Sequence, residues 1–283
     1  MDIKNRVCLG ILWKLEKFFK KPYHPFNKEG DMWENLYLWE YKTTAKTLQH
    51  FHIDFSGKTV LDVGCAVGGK SAYIGEYAEK VIGIDINRTS IANGKLLIEK
   101  HHPHLTGKVE LRVDNAYNLS LADNSVDIVF IDDVWEHISK PSNALKEALR
   151  VLKPGGYILI AFPPLNHPWA AHVNDLIPIP WIHYCVSEKY IVRWYIRKAL
   201  KTRGGIDRLK FKNMKPSDAK IEYINHMTLE RTLAIFSKYR DQMDIIDFSY
   251  DLLKVPFSKV LSKMERFGLF FFSKYYFTLK KRG

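Results

Sequence analysis

Long apolar runs are missing from this chain of 283 residues. No stretch reaches the roughly 20 residues needed to cross a bilayer, so a membrane-spanning protein is not expected. Cysteine is scarce: Cys8, Cys65 and Cys185 are the only three. They form neither a pair nor a metal-ligand spacing, which argues against a disulfide framework and for a reducing compartment. The short apolar stretch near the N-terminus is followed by no signal-peptide cleavage pattern, so a cytoplasmic location is expected. Internal repeats are absent, as is any nucleic-acid module signature.

What is present is a large apolar fraction, 46%, ample for a core, and a formal charge of +12. Such a charge favours an anionic partner: nucleic acid, a membrane surface or a phosphorylated substrate. The basic residues concentrate in the first thirty positions and in 193–220, and charge alone does not choose among these partners.

The chain is organised around Val60-Leu61-Asp62-Val63-Gly64-Cys65-Ala66-Val67-Gly68-Gly69-Lys70-Ser71. Thr59 to Val63 reads as a buried strand, and a helical pattern (Ser71, Ala72, Ile74, Tyr77) follows the glycines. A glycine turn between a parallel strand and a helix exposes bare backbone and aims free N–H groups at a ligand, often a nucleotide or nucleoside. Mere packing is the alternative reading of the same glycines. Val81-Ile82-Gly83-Ile84-Asp85 is a second strand ending in a carboxylate, about 20 residues past the glycines, where ribose-binding acids sit. Asp85 also suits a helix N-cap, since Asn87 and Ser90 follow.

Residues 4–21 form an amphipathic pattern, with Val7, Cys8, Ile11, Leu12, Leu15, Phe18 and Phe19 on one stripe and lysines mostly on the other side. This helix suits a membrane interface or packing over the domain as a lid. Pro22 and Pro25 interrupt it, and a second helix spans roughly 33–51. From Thr59 strands are expected near 59–63, 80–84, 108–113, 126–131 and 156–162. Helices are expected near 70–78, 88–100 and 141–152. That alternation implies a doubly wound α/β fold with a mostly parallel sheet. After Pro163-Pro164 the character changes to Pro, Trp and His, then to the basic run Arg193 to Lys220. We read 165–226 as an inserted helical cap over the ligand crevice, with a helix near 187–201. A helix at 228–240, a strand at 243–249, a helix near 257–266 and a strand at 270–279 complete the pattern. The domain reading is thus 1–52 for N-terminal helices, 53–164 for the cofactor core, 165–226 for the cap and 227–283 for completion of the sheet.

Four stretches carry a family resemblance: VLDVGCAVGG (60–69), VIGIDIN (81–87), NAYNLSLADNSVDIVFIDDVWEHI (115–138) and EALRVLKPGGYILIAFPP (147–164). Together they resemble the class I S-adenosylmethionine-dependent methyltransferases, and most closely the small-molecule group that includes quinone-biosynthesis and sugar or lipid methyltransferases. The resemblance implies a seven-stranded sheet with an antiparallel last strand, and S-adenosyl-L-methionine as cofactor. It places the methionine and ribose end of the cofactor at the turn Gly64-Cys65 to Gly68. Asp62 would lie near the cofactor's amino group, or cap the loop. Asp85 would accept both ribose hydroxyls, as a two-oxygen acceptor can, and Ile86 would cover one adenine face. Ala66 stands where the family has its middle glycine. Asn115, followed by Ala116, takes the place of the family's aspartate against the adenine amino group, with Asp114 serving if the loop shifts by one residue. Asp132 or Asp133 would approach the sulfonium, and Glu136 and His137 would face the acceptor.

Methyl transfer is an in-line displacement in which the protein aligns the acceptor and excludes water. An oxygen or carbon acceptor must lose a proton, which points to a histidine: His137, then His167 or His172. His167, His172, His183 and Asp175 do not make a metal set by spacing, and no catalytic metal is expected. The Trp- and Pro-rich cap and the basic segments favour an apolar or anionic small-molecule acceptor, amphiphilic or lipid-linked, at the cytoplasmic face of a membrane. An RNA methyltransferase, a nicotinamide-dependent oxidoreductase and a non-catalytic binding domain are the rival readings. No Asn-Pro-Pro-Tyr-type tetrapeptide follows the fourth strand, so nucleic acid is not the expected partner.

Overall fold

A computed structural model of the chain describes residues 10–14, 16–19, 25, 28–202, 204–212, 214–215, 217, 224–254, 258–264 and 269–283. Its centre is a seven-stranded sheet in the order β3-β2-β1-β4-β5-β7-β6. The strands are β1 (Thr59–Val63), β2 (Lys80–Asp85), β3 (Val109–Val113), β4 (Val126–Asp132), β5 (Leu152–Phe162), β6 (Met243–Leu252) and β7 (Phe272–Lys281). The first five pair in parallel, and β7 runs antiparallel to both β5 and β6. All five parallel strands and both later ones fall within a few residues of their expected places.

Alternation along the strands assigns each face its core. Val60, Ile128 and Phe130 pack with Leu36, Tyr37, Ile74 and Ile91 beneath the helices α1 (Met32–Leu48), α2 (Gly69–Gly75) and α3 (Arg88–His101). Leu61, Val63, Val129 and Ile131 face the other way, against Leu145, Leu149, Ile235 and Phe236 of α4 (Pro141–Val151) and α7 (Leu229–Phe236). Period-2 burial on both faces is what a sheet covered by helices on each side requires.

A third cluster belongs to residues 171–214. Val173, Leu176, Ile177, Ile191, Val192, Tyr195 and Ile196 bury one another around α5 (Glu188–Ala199) and α6 (Gly205–Phe211). Several helix ends fall short of expectation. The helix begun at Gly69 stops at Gly75, α1 stops at Leu48, and α7 gives way to a 3-10 turn at Ser237–Tyr239. The last expected helix is one turn, Ser258–Leu261, with 255–257 and 265–268 outside the described residues.

The amphipathic helix expected over 4–21 lies largely outside the described residues. Its described parts are helical at 10–14 and 3-10 at Glu16–Phe18. Leu12 and Phe19 pack on the third cluster, and Glu16 pairs with Lys198 of α5. Ile11, Trp13 and Phe18 remain exposed. The strand β6 forms one rim of the sheet, and Ile245, Ile246, Phe248 and Tyr250 along it are exposed too.

Candidate functional site

In an open parallel sheet the ligand crevice lies beyond the carboxyl ends of the strands, where the chain's winding reverses. Here that point is between β1 and β4. The turn after β1 carries Gly64 at φ +72°, Ala66 at +47° and Gly68 at +77°, a left-handed run that favours glycine. A Cβ on Gly64 would stand 2.5 Å from Val134 Cγ2, and one on Gly68 would stand 2.7 Å from Leu111 Cδ1. Close packing therefore demands both glycines, whatever else the turn does. Gly64 and Cys65 both donate their N–H groups to the Ile84 carbonyl at 2.7 and 2.9 Å, which ties the turn to β2.

Asp85 sits at the end of β2 and holds this turn in place. Its Oδ2 accepts from the Ala66 N–H at 3.0 Å, and its Oδ1 accepts from the Asn87 N–H at 2.7 Å. Burial pushes its pKa up, against the pull of those N–H donors. Asn87, not Asp85, caps α3, accepting from Thr89 and Ser90. Asp85 keeps lone pairs for further donors, because two carboxylate oxygens offer about four acceptor positions. Beside it Ile86 is 73% exposed and Val113 43% exposed, two apolar side chains bare at the strand ends.

The loop after β3 uses its polar groups on itself. Asn115 Oδ1 accepts from the Tyr117 N–H at 3.0 Å, and Asp114 Oδ2 accepts from the Ser120 backbone and hydroxyl. Asn115 is exposed, Asp114 and Ala116 are half-buried. Asp62 is fully buried on the face that looks toward α2, where its Oδ2 accepts from the Ser71 hydroxyl at 2.5 Å. Burial raises its carboxyl to about 6.

At the end of β4 two lysines meet two aspartates. Lys70 Nζ lies 2.7 Å from Asp132 Oδ2, and Lys274 Nζ lies 2.5 Å from Asp132 Oδ1 and 2.7 Å from Asp133 Oδ1. Burial alone would raise the Asp133 carboxyl, yet Lys274 and Lys70 outweigh it and hold the group below the usual carboxylate range. Asp133 itself adopts φ +57°, so the chain turns sharply here and points onward into Trp135–His137.

That turn delivers Glu136 and His137 to the cap. His137 and His172 stand edge to face with ring centres 4.7 Å apart. Glu136 lies between them, its Oε1 3.6 Å from His137 Nε2 and 3.9 Å from His172 Nε2. Glu136 is 3% exposed, and neither of its oxygens has a hydrogen-bond partner among the described residues. Burial, reinforced by Asp133, pushes its carboxyl well above the usual range. Burial likewise lowers His172 and takes His167 to about 4. His167 turns inward on its own loop, its Nδ1 accepting from the Trp169 N–H at 3.2 Å. The structure thus joins His137 with His172 and leaves His167 to its turn.

Three side chains of the site stand outside the sequence expectation: Lys70, Lys274 and Glu40. Glu40 of α1 is buried over the glycine turn, where its Oε2 accepts from the Gly69 N–H at 3.2 Å. Burial raises its carboxyl to about 8, with Asp62 and Asp85 adding to the shift while Lys70 and the Gly69 N–H oppose it. Between pH 4.5 and 8 the folded chain therefore holds a proton that the unfolded chain has lost, so stability falls as pH rises through that window. Glu40→Gln is expected to flatten this slope, leaving the variant less pH-sensitive by about 2 kcal/mol between pH 5 and 9 in urea unfolding. Parallel pH profiles for the two proteins would place the shift elsewhere.

A six-parallel, one-antiparallel sheet of this order, with an acid at the end of β2 and acids at the end of β4, defines the class I methyltransferase architecture. Residues 61–160 match the family described as a methyltransferase domain. Among curated relatives, the 2-methyl-6-phytyl-1,4-hydroquinone methyltransferase of Synechocystis sp. is 32% identical over 139 residues, 49% of this chain and 40% of that protein. The phthiotriol/phenolphthiotriol dimycocerosates methyltransferase 1 of Mycobacterium ulcerans is 37% identical over 110 residues, 38% of each. The chain thus spans about two fifths of the length of these relatives. The crystal structure of the cyclase SpnF superposes with a TM-score of 0.54 over 98% of this chain and 94% of that one, at 13% identity, which speaks for the fold alone.

The cofactor of this family is S-adenosyl-L-methionine, and the donor set here fits it. A carboxylate with spare acceptor positions lies next to two uncovered apolar side chains, as a ribose joined to a flat base needs.

Proposed function

We propose that the chain is an S-adenosylmethionine-dependent methyltransferase acting on oxygen or carbon of a small-molecule acceptor. The observation that carries this reading is Asp85, half-buried at the end of β2 and flanked by exposed Ile86. Asp85 takes the ribose hydroxyls, Ile86 and Val113 take the adenine faces, and Asn115 or Asp114 with Ala116 borders the adenine edge. Gly64, Cys65 and Gly68 shape the turn beneath the methionyl end, and Asp62 fixes α2 against it through Ser71. Asp133, held ionised by Lys274 and Lys70, stands beside Asp132 near the sulfonium.

The bound cofactor contributes an electrophilic methyl on a good leaving group. The chain's own part is alignment, exclusion of water and removal of the acceptor's proton. His137 and His172, with Glu136 between them, are assigned to that proton, and His167 lines the cap. Residues 165–226 serve as the acceptor's cap and 227–283 as the completion of the sheet. Within 1–52, α1 packs with the cofactor core of 53–164, and the segment before it is the lid or membrane-surface helix.

The acceptor we infer is amphiphilic or lipid-linked, taken from a membrane surface. Two kinds of support bear on this. The curated relatives above carry hydroquinone and dimycocerosate substrates in their names. Trp13 and Phe18 are 67% and 73% exposed on a basic segment that rests on the cap through Leu12 and Phe19. No described helix is long and apolar enough to cross a membrane, so the contact proposed is peripheral.

Calorimetric titration with S-adenosylhomocysteine tests the reading. One molecule is expected to bind per chain, and Asp85→Ala to weaken binding about 10- to 100-fold, the worth of hydrogen bonds to a charged acceptor. Quenching of tryptophan fluorescence by NADH, with none by S-adenosylhomocysteine, would transfer the chain to the oxidoreductases.

A further inference from the structure

The cluster between the end of β4 and the cap has a feature that proton transfer does not use. Glu136 has two buried oxygens and no hydrogen-bond partner among the described residues. A carboxylate so placed is costly unless a proton or a cation compensates it. One oxygen of Glu136 and one ring nitrogen each of His137 and His172 lie within 4.8 Å of one another. We propose that these three side chains form a binding site for a divalent transition metal of the zinc class, open on the side of the acceptor.

The donor chemistry selects the class of ion. Two imidazoles and one carboxylate suit zinc and its neighbours in the first transition row, whereas magnesium and calcium prefer oxygen alone. Bonds of about 2.0–2.1 Å to a tetrahedral zinc set neighbouring ligand atoms about 3.3 Å apart. The Glu136 oxygen is 3.6 and 3.9 Å from the two Nε2 atoms, so modest side-chain rotation closes the set. Three protein ligands leave a fourth position, the pattern of catalytic rather than structural zinc. Lys212 donates to the His172 carbonyl, which anchors the backbone carrying the ligand from the cap.

The assembly also explains why the sequence concealed the site. Glu136 and His137 leave the core at the end of β4, while His172 enters from the cap at a left-handed residue, φ +50°. Within 165–185 alone the histidines make no ligand spacing. The ion would bridge cofactor core and cap, with its free position available to an oxygen of the acceptor. His137 and His172 would then serve as ligands and not as bases, the ion easing loss of the acceptor's proton by lowering the pKa of the oxygen it holds. This inference deepens the methyltransferase reading and rests on it for the identity of the acceptor side.

The test uses the full chain, stripped with a chelator and then titrated with Zn²⁺ by calorimetry and with Co²⁺ by visible absorption. One Zn²⁺ per chain is expected, with Co²⁺ giving the intense visible bands of a four- or five-coordinate site. Glu136→Gln and His172→Gln are each expected to lower Zn²⁺ affinity about 100-fold or more, since each removes one of three ligands. Unchanged affinity in both variants, or no stoichiometric binding by the parent chain, overturns the proposal. Should the variants fail to fold, the Co²⁺ spectrum of the parent chain decides, because six-coordinate surface binding gives only faint bands. S-adenosylhomocysteine titrated in the same samples separates the two failures. Binding of that compound without metal removes the ion alone, and loss of both removes the methyltransferase reading.

Discussion

Lys274→Met is expected to lower the unfolding free energy by about 3–4 kcal/mol at neutral pH, read from urea denaturation. Lys274 is the ion partner that Asp132 Oδ1 and Asp133 Oδ1 share, at 2.5 and 2.7 Å. Asp132 is 3% exposed, and water cannot replace the lost ammonium cheaply. Lys70 stays 2.7 Å from Asp132 Oδ2, but lies 3.7 Å from Asp133, too far to hydrogen-bond in its place. The Met side chain preserves the stem's packing, so the loss reports charge and not volume. An unchanged midpoint would show that Lys70 alone balances both acids. The same variant is expected to weaken methyl transfer, because Asp133 then drifts toward its protonated form where a sulfonium needs negative charge.

Gly69→Ala is expected to be as damaging, at about 3 kcal/mol or more, by the same measurement. A Cβ there would lie 2.3 Å from the Tyr37 carbonyl oxygen, 2.7 Å from Glu40 Cβ and 3.0 Å from the Tyr41 nitrogen. Two of those three atoms are backbone of α1, which cannot step aside as a side-chain tip can. The methyl would part α1 from α2 and break the Gly69 to Glu40 hydrogen bond. Gly57→Ala is the comparison: its φ is +65° with nothing near the added carbon, so only about 1 kcal/mol of backbone strain is expected. Equal losses from the two would mean that α1 yields freely, and that the N-terminal helix is not integral to the site.

The parallel half of the fold was legible because its signals are local. Val60 to Val63, Val81 to Ile84 and Ile128 to Ile131 are apolar runs of strand length, each ending in a carboxylate or glycine. Asp85 was legible by its distance from the glycine turn. Lys274 was harder to read, since its meaning arises from β7 lying two strands from β4, a pairing across more than half the chain. Its only local sign is a cation within the aromatic run Phe270 to Phe277. Glu40 left a clearer trace: it follows Trp33, Leu36 and Tyr37 at helical spacing, on the stripe that is buried. A carboxylate on the inward stripe of an amphipathic helix points to a partner on the element it covers, here the first N–H of α2. His172 was named but could not be paired with His137, because α4, β5 and the loop that follows β5 lie between them and decide where the cap returns.

The rim strand β6 sets how the molecule tolerates its own kind. A flank that no described strand pairs, bearing isoleucine, phenylalanine and tyrosine, invites edge-to-edge stacking into fibrils. Asp247 stands exposed on that flank, while Asp244 pairs with Arg282 and Asp251 with Lys46 and His50, in a chain whose sum is +12. Two copies meeting flank to flank must strip water from these ion pairs, so crowding at neutral pH carries an electrostatic cost along the very surface most inclined to stick.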